Sequence, residues 1–349
     1  MWRPLAARPG FHRADLAVLL FCVTVIGAMA GPALNQVQEA SNRMRCSNNL
    51  KMLGIAAHNY HSDFSRLPPG YLGPLDAGNG KAPPLDKPEE TSNFGCLVFL
   101  LPYLEQDNIF RNLKDTRTTD DRSIELNVTA QTPAWWRREE NLKTAQIDVK
   151  IFHCPSDKWD DKPTQGILAA FHSADGKMQQ HILPGSAAKV LGRSNYAGVS
   201  GMWGRSEHPL AMQFEGILFN RSRVTLAQVS VQDGLSNTLM FGEGLGGTAQ
   251  TPRDTAWSWM GVGAMVTVSG LTKEPIDQAA FRFSSRHEKG VLFGYGDGSV
   301  RLIRFGKTAD VPATLPKSAQ ELPVNDWLLF QQLAGRKDGL NHDVSSLVD

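Results

Sequence analysis

The sequence predicts an α+β fold in which one long N-terminal helix packs on an antiparallel β-sheet with long inserted loops. Three observations lead there. Leu16 to Leu34 is a run of 19 residues without a charge, and apolar residues at three- and four-residue spacing continue beyond it, which is helical periodicity. Between about residues 215 and 305, short apolar runs alternate with turn residues, the pattern of strands. Glycine and proline number 32 and 20 among 349 residues, about 15% against the roughly 12% usual for globular chains, so turns and loops are many.

The helix comes first. At about 1.5 Å per residue the uncharged run covers roughly the 30 Å hydrocarbon thickness of a bilayer. Arg3, Arg8 and Arg13 precede it with no acid before Asp15, and positive charge resists translocation, so the N-terminus is expected to stay in the cytoplasm and the rest to be exported. Leu34, Val37, Ala40 or Ser41, and Met44 carry the repeat onward, and Leu50, Leu53, Ala57 and Tyr60 resume it, with Gln36, Gln38, Glu39, Asn42, Arg43 and Arg45 between. This predicts a one-sided helix over about 33–61, with a kink at Pro32. Ala28-Met29-Ala30 also fits a signal-peptidase site, so three outcomes stand open: ordinary secretion, a plain anchor, or a processed anchor. Asp15 has two readings, a membrane carboxylate that needs a partner or an N-terminal helix charge favoured by the macrodipole.

The exported part follows. Val98 to Leu104 is apolar but crossed by Pro102, which favours a helix starting near the proline and running to Leu113 over a central strand. Residues 72–93 read as a surface loop, and 114–147 and 155–193 as decoration of the core. Strands are predicted at Gly216–Phe219, Thr238–Gly242, Ala264–Val268, Val291–Tyr295 and Val300–Ile303. The last two flank Gly296-Asp297-Gly298, and Asp-Gly between apolar runs signals a hairpin. All of this fits one α+β domain.

Charge and motifs narrow the function. With 36 basic and 35 acidic residues the net charge is +1, which disfavours nucleic acid as a partner, and 41% hydrophobic residues exclude a disordered chain. Gly242-Glu243-Gly244-Leu245-Gly246-Gly247 matches GxGxxG after a strand, but Pro252 prevents the helix that a nucleotide site needs. Gly198-Val199-Ser200-Gly201 lacks the last glycine of a nucleophile elbow. No catalytic residue and no cofactor is assigned. His58 and His61, near Asp63 and with His153 as a third ligand, could share a metal, although polar residues at a helix end explain them better. Asp233 and Asp297 are weak calcium candidates. Of four cysteines, Cys22 lies in the apolar run, and Cys46, Cys96 and Cys154 allow one disulfide with one thiol left over. Trp135-Trp136 reads either as a partner-binding pair or as core anchors. His287 reads as a ligand or base, or as a hydrogen-bonded structural residue, the second being the expectation.

Two resemblances then appear. Gly10-Phe11, the acid at Asp15 and an apolar helix containing Pro32 resemble the class III leader and N-terminal helix of type IV pilins and pseudopilins. That implies cleavage between Gly10 and Phe11 by a prepilin peptidase, methylation of Phe11, and pairing of Asp15 with the N-terminal amine of a neighbouring subunit. Arg45-Cys46-Ser47-Asn48-Asn49-Leu50-Lys51, Leu101-Pro102-Tyr103-Leu104-Glu105-Gln106, Cys154-Pro155-Ser156-Asp157, Asn195-Tyr196-Ala197-Gly198 and Asp233-Gly234-Leu235-Ser236-Asn237-Thr238 resemble the DUF1559 family of pilin-like bacterial proteins. His287, nine intervening residues, Asp297 and Gly298 resemble its H-X9-DG motif. Cys46 and Cys154 fall in family motifs and Cys96 does not, so the resemblance favours that pair. It implies a leader over 1–10, a transmembrane helix over 11–34 and an exported domain over 35–349. The protein would be a single-pass, non-enzymatic structural or assembly protein of the bacterial inner membrane, with its domain periplasmic or extracellular. Its partners would be the prepilin peptidase, neighbouring pilin-like subunits and the membrane. The alternatives are an envelope-displayed module that binds a glycan or protein, and an exported hydrolase built on His287 and Asp297.

Overall fold

One helix, α1, runs unbroken from Arg13 to Phe64 in the computed structural model, a length of about 78 Å at 1.5 Å per residue. The structure describes residues 13–73, 91–113, 133–157, 166–174, 177–184, 190–247, 254–273 and 279–349. The one-sided helix expected over 33–61 is thus the second part of a longer one, and Pro32 does not end it. A lost N–H bond there is outweighed by the helical turns on either side, which propagate independently of it.

The helix divides into two unlike halves. Leu16, Val18, Leu19, Leu20 and Phe21 are all more than half exposed. Cys46, Leu50, Leu53, Ala56, Ala57 and Tyr60 are buried, because from Cys46 onward α1 lies on the domain. The expected apolar stripe is corrected in between, since Val37 and Met44 are 68% and 67% exposed. Among the described residues no helix is long and apolar enough to cross a membrane, and the side chains of residues 25–35 lie outside that description.

Beneath α1 is a five-stranded sheet of order β7-β4-β5-β8-β9. Its strands are β4 (Tyr196–Val199), β5 (Leu239–Glu243), β7 (Ala264–Met265), β8 (Gly290–Tyr295) and β9 (Val300–Arg304). The second half of α1 rests on β8, flanked by β5 and β9. All five residues of β5 and all six of β8 are buried, as continuous apolar runs covered on both faces require. The β8–β9 hairpin is antiparallel from Gly290↔Arg304 to Gly294↔Val300, in the place the Asp-Gly pair predicts.

A second sheet, of order β2-β1-β6-β3, corrects the expectation that 155–193 only decorates the core. Here β1 is Gly166–Ala174, β2 is Lys177–Pro184, β3 is Arg193–Ser194 and β6 is Thr255–Ser258. The β1–β2 register closes at Ala174↔Lys177, which leaves Asp175-Gly176 between the strands, the same hairpin signal as in β8–β9. Neither sheet is wholly antiparallel, since β1 runs parallel to β6 and β4 parallel to β7. The strand predicted at Gly216–Phe219 does not form. Its backbone bonds are instead split between two segments, the end of β4 by Leu218 N to Val199 O and Gly216 N to Ser200 O, and the loop after α1 by Gly70 N to Phe219 O.

The run at Val98–Leu104 is helical, but it begins before the proline. Helix α2 spans Cys96–Leu100, a 3-10 turn covers Leu101–Leu104, and α3 spans Asp107–Phe110. Later, α4 (Glu139–Thr144), α5 (Pro209–Gln213) and α6 (Leu226–Val231) are single turns or little more. Helix α7 (Asp326–Ala334) is capped by Asn325, whose side chain accepts from Leu328 N. It contributes Trp327 and Leu328 to a small second core with Met202, Leu210 and Phe214.

The division of α1 predicts unequal sensitivity. Leu53→Ala, which empties a fully buried position, should lower unfolding free energy by roughly 2–5 kcal/mol. Met44→Ala, one stretch earlier, should change it by no more than about 0.5 kcal/mol. Denaturant melts of the two variants in mild detergent check this.

Candidate functional site

The candidate site lies where α1 leaves the domain. Glu39, on α1, points its carboxylate at His287, and the Nδ1–H donates to Glu39 Oε1 at 2.6 Å. On the other side of the ring, Nε2 stands 3.5 Å from Glu243 Oε1, an ion-pair distance rather than a short hydrogen bond. The imidazole and Glu243 side chains are each 2% exposed, whereas that of Glu39 is 41% exposed. Burial pushes the His287 pKa down, but the Glu243 and Glu39 carboxylates outweigh it and hold the imidazole above its ordinary value.

Each residue is placed by its element. Glu243 is the last residue of β5, and its Oε2 accepts from Ser285 Oγ and from Leu292 N, both at 3.2 Å. Ser284 N donates to Glu243 O at 3.0 Å, which clips the Ser284-Ser285-Arg286-His287 segment to the strand end. His287 N then donates to Ser285 Oγ at 3.2 Å. Below the ring, Cys46 of α1 and Cys154 form a disulfide 108 residues apart in sequence. The Cys154 sulfur is 3.9 Å from His287 Nε2. Cys96 is a buried free thiol, which burial pushes up to about 12.

A polar network binds these parts together. Asn195 accepts from Cys154 N at 2.9 Å and donates to Asp157 Oδ2 at 2.8 Å and to Gly244 O at 3.1 Å. Asp157 Oδ1 accepts from Arg286 Nε at 3.1 Å. Ser156 Oγ donates to Glu39 Oε2 at 2.9 Å, and Asn49 Nδ2 to His153 O at 2.9 Å. Four of the motifs read from the sequence therefore meet at one place.

The other end of the H-X9-DG motif also touches α1. Gly298 has φ +81°, a left-handed value that favours glycine, and a Cβ on Gly54 of α1 would lie 3.2 Å from the Gly298 Cα. His58 Nε2 donates to Gly296 O at 2.8 Å. Asp297 accepts from Ser299 N within its own turn at 2.8 Å, so it belongs to the turn and is not among the groups that hold His287.

The remaining sequence candidates are dispersed. Asp233 accepts from Asp338 N at 2.8 Å and Gly339 N at 3.3 Å, so the calcium pair Asp233 and Asp297 is occupied with separate backbone segments. His61 Nε2 accepts from Leu226 N and His153 pairs with Asp148, so with His58 they do not form the metal face considered above. Trp135 is fully buried and Trp136 stacks on His181 with ring centres 4.5 Å apart, an arrangement of core anchors. Gly10 and Phe11 lie outside the described residues, as does the side chain of Asp15. Among the described residues, one group of three or more metal-ligand types comes together, namely Cys46, Cys154, Glu243 and His287, with one donor atom of each within 4.8 Å of the others.

The comparisons with known proteins bear on this geometry. A family model described as a protein of unknown function, DUF1559, matches residues 35–304. The chain belongs to the DUF1559 family. No curated protein and no solved structure matches it. In this DUF1559 member the matched region begins just before Glu39 and ends with β9, so it takes in the whole network and both ends of the H-X9-DG motif.

Glu39 and Glu243 are the site residues that sequence reasoning missed. Glu39 reads as one polar residue among several on the helix, and Glu243 sits inside a glycine run that draws attention to phosphate binding. The available signal was an acid closing the otherwise apolar strand Thr238–Gly242.

Because Asn195 is 2% exposed and its side chain serves three partners, Asn195→Ala should cost about 2–4 kcal/mol by leaving buried polar groups unpaired. A denaturant titration of the oxidised protein measures this, and a change below about 0.5 kcal/mol would contradict the network.

Proposed function

We propose that the protein is a membrane-anchored, pilin-like structural or assembly protein without enzymatic activity. The observation that carries this is the division of α1. Its second half is built into the domain, whereas Leu16, Val18, Leu19, Leu20 and Phe21 stand exposed on the first half. An exposed apolar helix face demands an apolar environment or a partner of the same kind. The uncharged run from Leu16 to Leu34 matches a bilayer core in length, and the arginines before it set the orientation.

In this reading the prepilin peptidase cuts between Gly10 and Phe11, the new N-terminus is methylated, and the helices of neighbouring subunits pack side by side. Asp15, near the helix start, would pair with the amine of a neighbour, because a carboxylate in hydrocarbon is tolerated when it is paired. The clamp around His287 would keep the domain at a fixed distance from the membrane-embedded half. A hydrolase centred on His287 is disfavoured by its burial and its closure between two carboxylates.

Sequencing of the mature N-terminus from membranes tests the reading. The expected product starts at N-methylated Phe11 and stays with the membrane fraction in alkaline carbonate. A product starting at Gly31 and released as soluble protein would overturn it.

A further inference from the structure

We propose that Cys46, Cys154, Glu243 and His287 form a redox-selected metal site, closed as a disulfide when oxidised and holding one zinc ion when reduced. The four side chains come from α1, from the loop before β1, from the end of β5 and from the segment before β8, so they converge on one point from different directions. Two thiolates, an imidazole and a carboxylate make a donor set that suits tetrahedral zinc.

The distances agree with that geometry. Zinc bonds of about 2.0–2.3 Å place tetrahedral nitrogen and oxygen donors about 3.4 Å apart, and nitrogen and sulfur about 3.6 Å. The observed separations are 3.5 Å from His287 Nε2 to Glu243 Oε1 and 3.9 Å from Nε2 to Cys154 Sγ. Two further features point to a ligand. Glu243 Oε1 is buried with no hydrogen-bond partner and faces the ring. Glu39, by accepting from Nδ1–H at 2.6 Å, would fix the tautomer whose Nε2 lone pair faces the sulfurs, the arrangement in which a carboxylate orients a zinc-bound histidine. Glu39 is thus a positioning residue for the metal.

The two states interconvert with a balanced account. A dithiol supplies two electrons and two protons, leaving as its own disulfide, and the S–S bond becomes two thiols. Zinc then displaces two thiol protons and, where the ring is charged, the Nε2 proton, forming two Zn–S bonds, one Zn–N bond and one Zn–O bond. Those protons pass to solvent.

The test uses the full-length protein in mild detergent, either oxidised or reduced without oxygen by a water-soluble phosphine, which takes up the oxygen of water. Each form is dialysed against zinc chloride, and cobalt(II) chloride serves as a spectroscopic probe. One equivalent of zinc is expected on the reduced form and none on the oxidised form, with the intense visible bands of tetrahedral cobalt thiolate. His287→Ala and Cys46→Ser should abolish those bands, and Glu39→Gln should weaken binding about 10- to 100-fold while keeping their shape. Zinc should also raise the melting temperature of the reduced protein, because ligands that bind only the native state stabilise it. A reduced protein that stays folded and takes no zinc would overturn the proposal. So would a reduced protein that unfolds and is not restored by zinc, or zinc uptake unchanged in His287→Ala.

Discussion

A histidine ring held between two carboxylates, against a disulfide, governs how this molecule is put together. Removing the His287 and Glu243 side chains from water is unfavourable unless each finds a partner of opposite charge or a hydrogen bond. Here the partners come from distant parts of the chain. Glu39 belongs to α1, Glu243 ends β5 and His287 precedes β8, so the ion cluster is satisfied only when helix and sheet are in register. The disulfide acts in the same direction. Closing a loop of 108 residues stabilises the fold by roughly 5 kcal/mol in the chain-entropy account, and it joins α1 to the loop that carries Asp157.

From that clamp the rest follows in order. The helix is held at Glu39 and Cys46, seated on the sheet through Leu50 and Leu53, and held again where Gly54 meets Gly298 and His58 meets Gly296. Both ends of the H-X9-DG motif therefore do the same job, docking one face of α1. Beyond Glu39 toward the N-terminus, no clamp residue reaches the helix among the described residues, and of these Leu16, Val18, Leu19, Leu20, Phe21 and Val37 are exposed. The proposed membrane role and the clamp are thus two sides of one arrangement: a helix rigidly joined to its domain transmits position from one half to the other.

Much of the fold was legible because it is written in local patterns. The helical repeat, the β8–β9 hairpin and the helical nature of the run at Val98 all depend on residues a few positions apart. The β1–β2 hairpin was equally local, and its Asp175-Gly176 pair carried the signal, but the mixed residues Gln179, Gln180 and His181 hid the strand pattern. Gly216–Phe219 misled in the opposite sense, being apolar for packing while its backbone bonds to separate segments. The site was legible only in part. The family resemblance brought Cys46, Cys154 and His287 forward, yet Glu39 lies 248 residues from its partner, and no periodicity links positions so far apart. Charge pairing across that distance is a property of the folded chain.

The central claim, that the Glu39–His287 pair couples α1 to the domain, is tested most directly by a double-mutant cycle on the oxidised protein. Glu39→Gln, His287→Gln and the double variant would be compared with the parent by denaturant unfolding. A coupling energy of about 1 kcal/mol or more is expected for residues that share one network. Effects that simply add, to within about 0.3 kcal/mol, would contradict the account.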